Sequence, residues 1–93
     1  MIKSFADRET ERLFDGEFSR RLPEDIHRRS RLKLEIIDAA KDLRDLQSPP
    51  GNMLHALHDD RSGQHAIRIN DQWRICFRWH DGNAHEVEIT DYH

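Results

Sequence analysis

The second half of the chain alternates between apolar and polar residues with a period of two. Three such runs cover residues 66–69, 73–79 and 85–89, and turn-forming residues separate them at 70–72 and 81–83. A period of two places successive side chains on opposite faces of a strand. The pattern therefore predicts a three-stranded antiparallel meander with one apolar face.

The first half has helical spacing instead. Asp7 is a candidate N-cap for a short helix through Phe14, and Pro23 suits the first turn of a long helix that continues to about Leu46. The apolar stripe expected on the long helix consists of Leu32, Ile36, Ala39, Leu43 and Leu46. The segment 48–51 contains two prolines, which lack backbone donors, and it should end this helix.

Residues 2–5 also alternate, which predicts a short N-terminal strand. Together the elements predict one domain over residues 1–93, in which the long helix covers the apolar face of the meander. The single cysteine, Cys76, excludes an intrachain disulfide and suits a reducing compartment. Since no apolar run is long enough for a signal sequence or a membrane span, we expect a cytoplasmic protein without membrane association.

The charge balance argues against a nucleic-acid binder that relies on overall positive charge, because the formal net charge is -3. Arginine nevertheless outnumbers lysine, and its forked guanidinium suits both phosphate contacts and ion pairs. The distribution of the arginines is therefore more informative than the total charge.

The register of the first hairpin decides where two of these arginines lie. A three-residue loop at 70–72 keeps Ile67, Ile69, Trp73 and Ile75 on one face, whereas a two-residue loop would mix the faces. The favoured register places Arg68 opposite Arg74, and like charges across a ladder are unfavourable. Two compensations fit the pattern. Acidic residues of the third strand, Glu86 and Glu88, could form ion pairs on that face, or a phosphate could bind between the two arginines.

The histidines allow two uses. His55-x-x-His58, with His65 nearby, could provide zinc ligands, although no second cluster of defined spacing accompanies it. The other use is proton transfer. His93 lies next to its own terminal carboxylate and close to Asp91 in sequence, and both negative charges should favour the imidazolium form. A histidine beside arginines is suited to metal-free RNA cleavage.

Several segments, in the same order along nearly the whole chain, carry a resemblance to a known family. Residues 63–77 (GQHAIRINDQWRICF), the opening MIKSF, the PPGN break at 49–52 and the ending Asp91-Tyr92-His93 resemble the HigB-like "killer" toxins of the RelE/ParE superfamily. The resemblance implies a small RelE-like α+β fold, with two helices packed on one face of a mostly antiparallel sheet. It also implies a type II toxin whose HigA-like helix-turn-helix antitoxin binds operator DNA, so that the toxin reaches DNA only in that complex.

The activity implied by the resemblance is ribosome-dependent cleavage of translated mRNA in the A site, by metal-independent attack of the 2′-OH, which inhibits translation and growth. The implied catalytic residues are Arg74, Asp91, Tyr92 and His93, with Arg74 stabilising the phosphate and His93 transferring a proton. The residues implied to contact RNA are His55, His58, Arg61 and Arg68. No cofactor or metal is implied.

One departure from the family concerns the segment before the hairpin. The family often has Leu-Lys-Gly-Asp-Arg there, and this chain has Leu57-His58-Asp59-Asp60-Arg61. A permanent positive charge is thus replaced by a titratable side chain with an acidic neighbour. Strict alternation also sends Asp91 and His93 to the apolar face, so the strand must end or twist near Thr90, or the cleft must lie at the sheet edge. The alternative function is a non-catalytic module that docks ribosomes or an antitoxin through its arginine face.

Overall fold

The computed structural model describes residues 1–91. Within this range two α-helices, α1 (Arg8–Phe14) and α2 (His27–Ala39), accompany a four-stranded antiparallel sheet with the strand order β1-β2-β3-β4. The strands are β1 His55–Ala56, β2 His65–Arg68, β3 Trp73–His80 and β4 Asn83–Asp91. The α+β architecture expected from the sequence is confirmed.

The short first helix begins and ends where the sequence indicates. Asp7 is its N-cap, and its Oδ1 accepts a hydrogen bond from the Thr10 backbone N–H at 2.7 Å. Gly16, with φ of +88°, follows the helix in the left-handed region that favours glycine. Thr10 is buried, and its Oγ1 accepts from the Ile89 N–H at 2.9 Å, which ties α1 to β4.

The long helix is shorter than predicted, and its buried face differs. The helix ends at Ala39 rather than near Leu46, because Ala40 is extended and Asp42 and Asp45 form a capping box that starts a separate 3-10 helix at Leu43–Gln47. The predicted stripe was wrong at Leu32, which is 56% exposed, and at exposed Ala39; Leu46 is buried, and Ile36 and Leu43 pack against the core. The buried positions of α2 are His27, Ser30, Leu34 and Ile37, two of which are polar and invisible to a hydrophobic pattern.

The meander and its first hairpin agree with the prediction. Ile67 pairs with Ile75 and Arg68 with Arg74, so the favoured register is confirmed. The sequence pattern missed β1, a two-residue strand in which His55 pairs with Ala66. Such a short strand has no periodicity to detect.

A β-bulge in β4 corrects the predicted alternation of the last strand. Ala84 is fully buried opposite Trp79, whereas the alternation placed His85 on the apolar face. Val87, three residues after Ala84, is also fully buried, so one extra residue must be accommodated between them. Glu86 takes that position with φ of 53°. The register then recovers, and Cys76 pairs with Glu88.

The N-terminal segment runs parallel to β4 at the sheet edge. It forms two isolated bridges, Ile2 with Ala84 and Phe5 with Val87, instead of the continuous strand predicted for residues 2–5. The interruption lies at the bulge, where the Glu86 N–H donates to Ser4 Oγ at 2.9 Å. The core lies between the helices and this sheet, and in residues 1–91 no helix has the length and apolarity needed to cross a bilayer.

Candidate active site

A cleft of about 510 Å³ lies between β1, the 3-10 helix Asp59–Arg61 and the end of β4. Its wall contains four of the residues singled out in the sequence: His55, His58, Arg61 and Asp91. Cys76 and Thr90 also line it. Residues that are far apart in the chain therefore meet in one polar cleft, because the β1–β2 connection folds back over the outer face of β3 and β4.

Arg61 is fixed in the cleft wall by two partners. Its Nη1 donates to Glu88 Oε1 at 3.0 Å and to Gln64 Oε1 at 3.1 Å. The Arg61 side chain is still 37% exposed, and Glu88 is 32% exposed, so water screens this ion pair. The guanidinium is therefore oriented by the protein but accessible to an anion entering the cleft.

The histidines of β1 and β2 lie side by side at the sheet edge. His55 Nδ1 donates to the Met53 carbonyl oxygen at 2.9 Å, which leaves Nε2 as the basic nitrogen of the neutral ring. The His65 ring stacks on Phe77 with centroids 6.4 Å apart. Burial, followed by the charge of His55, lowers the pKa of His65. The neutral form of His65 is therefore favoured where its ring packs on Phe77.

Cys76 forms part of the cleft wall without being suited to act as a nucleophile. Its side chain is buried, and burial raises the pKa of the thiol, with Glu88 acting in the same direction and Arg61 and Arg74 opposing it. A neutral thiol is a poor nucleophile. Its small size leaves space in the wall between Arg61 and Arg74.

Arg68 and Arg74 each have a partner in the turn that joins their strands. Arg68 Nη2 forms an ion pair with Asp71, and Arg74 Nη1 donates to the carbonyl oxygens of Asn70 and, at 3.2 Å, Trp73. The predicted acidic partners are occupied elsewhere on the same face. Glu86 Oε2 accepts from Arg78 Nε at 2.6 Å, as anticipated, whereas Glu88 pairs with Arg61.

Arg74 does not itself line the cleft, but it lies opposite a residue that does. Arg74 pairs with Thr90 across β3 and β4, and Thr90 lines the cleft. The strand does not end at Thr90, because Asp91 still pairs with Trp73 and its Oδ2 accepts from Gln72 Nε2 at 3.1 Å. This acid therefore lies at the cleft, in the last pair of the β3–β4 ladder. Tyr92 and His93, the other two expected catalytic residues, lie outside the described residues.

The segment that departs from the family, residues 57–61, contains a residue with a left-handed backbone. Asp59 adopts φ of 56°, the left-handed conformation that glycine adopts most easily, at the position where the family often has glycine. His58 precedes it and is exposed in the cleft wall. The backbone shape expected with glycine is thus present, while an acidic side chain is added beside His58.

The hypothesis that His55 and His58 bind zinc required the two residues to lie one helical turn apart. Instead, His55 belongs to β1 and His58 precedes a 3-10 helix. Among residues 1–91 no three His, Cys, Asp or Glu side chains are grouped closely enough to hold a metal ion.

Comparison with known proteins identifies relatives of matching length. The family of RelE-like toxins of the type II toxin–antitoxin system HigB matches residues 3–93. "Toxin HigB-1" of Vibrio cholerae is 39% identical over 85 residues, which cover 90% of each chain. "Endoribonuclease HigB" of Proteus vulgaris is 32% identical over 93 residues, the full length of both chains. An uncharacterised protein of Haemophilus influenzae is 26% identical over 77 residues, 83% of this chain and 76% of that one.

Proposed function

We propose that this chain, which belongs to the HigB-like family of RelE-like toxins of type II toxin–antitoxin systems, is an endoribonuclease that cuts translated mRNA in the ribosomal A site. The observation that carries the proposal is the cleft in which His55, His58, Arg61 and Asp91 meet, next to the Arg74–Thr90 pair. The name of the Proteus vulgaris relative, an endoribonuclease, points to the same activity.

The chemistry proposed for the cleft is an internal transfer at one phosphodiester. A base removes the proton of the 2′-OH, the 2′ oxygen attacks the adjacent phosphorus, and the 5′ oxygen of the next nucleotide leaves with a proton from an acid. The products are a 2′,3′-cyclic phosphate and a 5′-OH. Water is not consumed in this step, and the reaction needs no metal ion to supply the nucleophile.

Separate roles are proposed for the side chains. Arg74 offers a forked donor for the phosphate oxygens, where negative charge builds up in the transition state. His93 is the proposed proton-transfer residue, with Asp91 and Tyr92 orienting it or lining the cleft. His55, His58, Arg61 and Arg68 are the proposed contacts to the RNA strand. Arg61 is already held by Glu88, so a bound phosphate would share it with this acid.

The proposed partners follow from family membership. A toxin of a type II system is paired with an antitoxin, and we propose that the antitoxin here is a HigA-like helix-turn-helix protein. We place the activity in the cytoplasm, where ribosomes and mRNA are available. Operator DNA would be bound only by the toxin–antitoxin complex.

Mapping of mRNA ends in cells tests the activity. The chain is induced together with a defined message, and 5′ ends are mapped by primer extension, in parallel with the same message carrying a disabled start codon. New ends are expected only in the translated message. Arg74→Ala and His93→Ala should each abolish the new ends and growth arrest, whereas Arg78→Ala, on the same strand face, should keep both. If Arg74→Ala and His93→Ala both still cut as the parent does, the site assignment is wrong.

The same experiment separates a non-catalytic module from an enzyme. Such a module would sediment with ribosomes and slow growth without generating new mRNA ends. For the mechanism, a message with a single 2′-deoxy nucleotide at the mapped position should resist cleavage by purified protein on ribosomes. Cleavage of that substituted message would exclude attack by the 2′-OH.

A further inference from the structure

A second cleft, also of about 510 Å³, lies between α2 and the β2–β3 turn, and Arg28 and Arg29 of α2 line it. Arg29 Nη1 donates to the Ile69 carbonyl oxygen at 3.2 Å. Arg74 donates to the carbonyl of the next residue, Asn70. The turn is therefore held between an arginine of α2 and the arginine proposed to stabilise the reacting phosphate.

Lys33 lies one helical turn after Arg29 and adds another positive charge on this side of α2. Lys33 follows Arg29 by four residues on the same helix face, and its Nζ donates to Asn52 Oδ1. Burial, and then the positive charges of Arg29 and Arg68, lower the pKa of Lys33. Arg68 itself is paired with Asp71, whose side chain is 98% exposed. Lys33 thus lies close enough to Arg29 and to Arg68 for both positive charges to act on it.

The carboxylates around this cluster leave room for an external anion. Asp25 lines the same cleft at the end nearest the start of α2, and Asp71 lies on the exposed turn. Neither is hydrogen-bonded to Arg29 or Lys33, whose described partners are the neutral oxygens of Ile69 and Asn52. An anion bound here would relieve the repulsion without displacing an internal ion pair of either residue.

We propose that Arg28, Arg29 and Lys33 form, with Arg68, a binding site for backbone phosphates of the RNA strand that flank the nucleotide being cut. The proposal rests on the proposed function and extends its RNA contacts to α2. The link is geometric: Arg29 donates to the Ile69 carbonyl oxygen and Arg74 donates to the carbonyl oxygen of the next residue, Asn70, so the same turn lies against both arginines. A strand whose reacting phosphate lies at Arg74 would have its neighbouring phosphates within reach of Arg68 and then of α2.

Binding of an uncleavable RNA tests this surface independently of catalysis. Purified parent protein and variants are titrated against a short fluorescein-labelled single-stranded 2′-O-methyl RNA, and anisotropy is recorded at several NaCl concentrations. Arg29→Gln/Lys33→Gln should bind about tenfold more weakly, and its salt slope should fall by about 0.7 for each phosphate that the variant no longer binds. Arg28→Gln should have a smaller effect in the same direction. This second variant keeps the test decisive if the double variant fails to fold, because Arg28 is exposed.

The matched control removes one lysine and one arginine at the opposite sheet edge. Lys3 and Arg8 are exposed in and just after the segment that runs along β4. Lys3→Gln/Arg8→Gln should therefore keep the affinity and slope of the parent. The proposal is overturned if the α2 variants bind RNA like the parent, or if the control weakens binding as much. It is also overturned if the α2 variants keep the RNA affinity of the parent but no longer bind the antitoxin, because the surface would then bind an acidic protein.

The two proposals can fail separately. The binding assay needs no cleavage, so a chain that leaves mRNA intact can still show the α2 contacts. Conversely, a chain that cuts translated mRNA while its α2 variants bind RNA normally would keep the proposed function and exclude this inference.

Discussion

Arg68 and Arg74 lie directly opposite each other on β2 and β3, and the turn between these strands holds both guanidinium groups. Arg68 is paired with Asp71, and Arg74 donates to main-chain carbonyls. A main-chain carbonyl carries no net charge, so these hydrogen bonds orient Arg74 without neutralising it. The turn thereby positions a positively charged group beside the cleft.

Arg74→Lys tests whether the fork of this residue matters as well as its charge. Lysine keeps the charge but cannot donate two parallel hydrogen bonds to a phosphate, and it cannot reach the Asn70 and Trp73 carbonyls in the same way. We expect single-turnover cleavage on ribosomes to fall about 100-fold, the size seen when one donor to a developing oxyanion is removed. Arg78→Lys, with its ion pair to Glu86, should change the rate less than about threefold. Equal reductions in both variants would point to folding and not to the cleft.

The sequence was most informative where side-chain periodicity and turn chemistry act together. The Arg68–Arg74 pairing follows from keeping Ile67 and Ile75 on the core face, because a slip of one residue would expose the whole apolar set. The short helix after Asp7 follows from a local cap. In both cases the decisive interactions are close in sequence.

The features that the sequence did not reveal depend on contacts between distant segments. The end of α2 at Ala39 reflects the Asp42–Asp45 capping box, which competes with an otherwise continuous helical pattern. The Arg61–Glu88 ion pair joins residues 27 positions apart, and its formation needs the β1–β2 connection to fold onto the sheet. The basic group of Arg29 and Lys33 near Arg68 was hidden for the same reason.

His58 and Asp59 provide a test of the departure from the family. His58→Lys/Asp59→Gly adds a permanent positive charge and removes a negative one, and glycine adopts φ of 56° without strain. At about pH 8, where imidazole side chains are generally neutral, the variant should bind uncleavable RNA several-fold more tightly than the parent.

The hairpin between β3 and β4 offers a matched control for this change. His80-Asp81 is the same dipeptide, and Asp81 also has a left-handed backbone, with φ of 51°. His80→Lys/Asp81→Gly makes the same change in charge outside the cleft. A similar gain in affinity in both variants would show that total charge, and not the cleft, is responsible.

His65 should make the stability of the fold depend on pH. Its pKa is lowered in the folded chain by burial and by His55, so the unfolded chain binds a proton more readily. The stability associated with neutral His65 is present above the unfolded value of about 6.5, and it is lost as the pH falls through the lower folded-state pKa. The free energy of unfolding of the parent and of His65→Gln is measured in urea between about pH 8 and 5. It should fall less steeply with decreasing pH in the variant. The exposed His80→Gln should retain the slope of the parent; a His65→Gln slope equal to the parent's would contradict the prediction.

Thr10→Val should destabilise the fold by about 1–3 kcal/mol, because it leaves the buried Ile89 N–H without its acceptor. Valine matches threonine in shape, so packing changes little. Ser4→Ala removes a comparable acceptor from the Glu86 N–H, which is exposed to water, and should cost less than about 1 kcal/mol. Urea unfolding measures both free energies. Equal costs would mean that burial of the Ile89 N–H is not what makes Thr10 important.

Glu86 is the residue whose backbone sets the register of the end of β4. Its φ of 53° is unfavourable for a β-branched side chain and well tolerated by asparagine. Both Glu86→Val and Glu86→Asn lack the ion pair with Arg78, so their difference isolates the backbone. We expect Glu86→Val to be less stable than Glu86→Asn by about 1–2 kcal/mol in urea unfolding. His85→Val, at the adjacent regularly paired position, should show no comparable cost.

The bulge at Glu86 also connects this stability test to the cleft. Beyond it, Cys76 pairs with Glu88 and Arg74 with Thr90, so the bulge determines which face of β4 meets Arg61 and Arg74. If valine forces the bulge to move by one residue, Glu88 turns away from Arg61, because a slip of one residue exchanges the two faces of a strand. RNA cleavage should therefore fall in Glu86→Val by more than the decrease in folded protein explains, and it should persist in Glu86→Asn. Equal cleavage per folded molecule in the two variants would show that the cleft does not depend on this bulge.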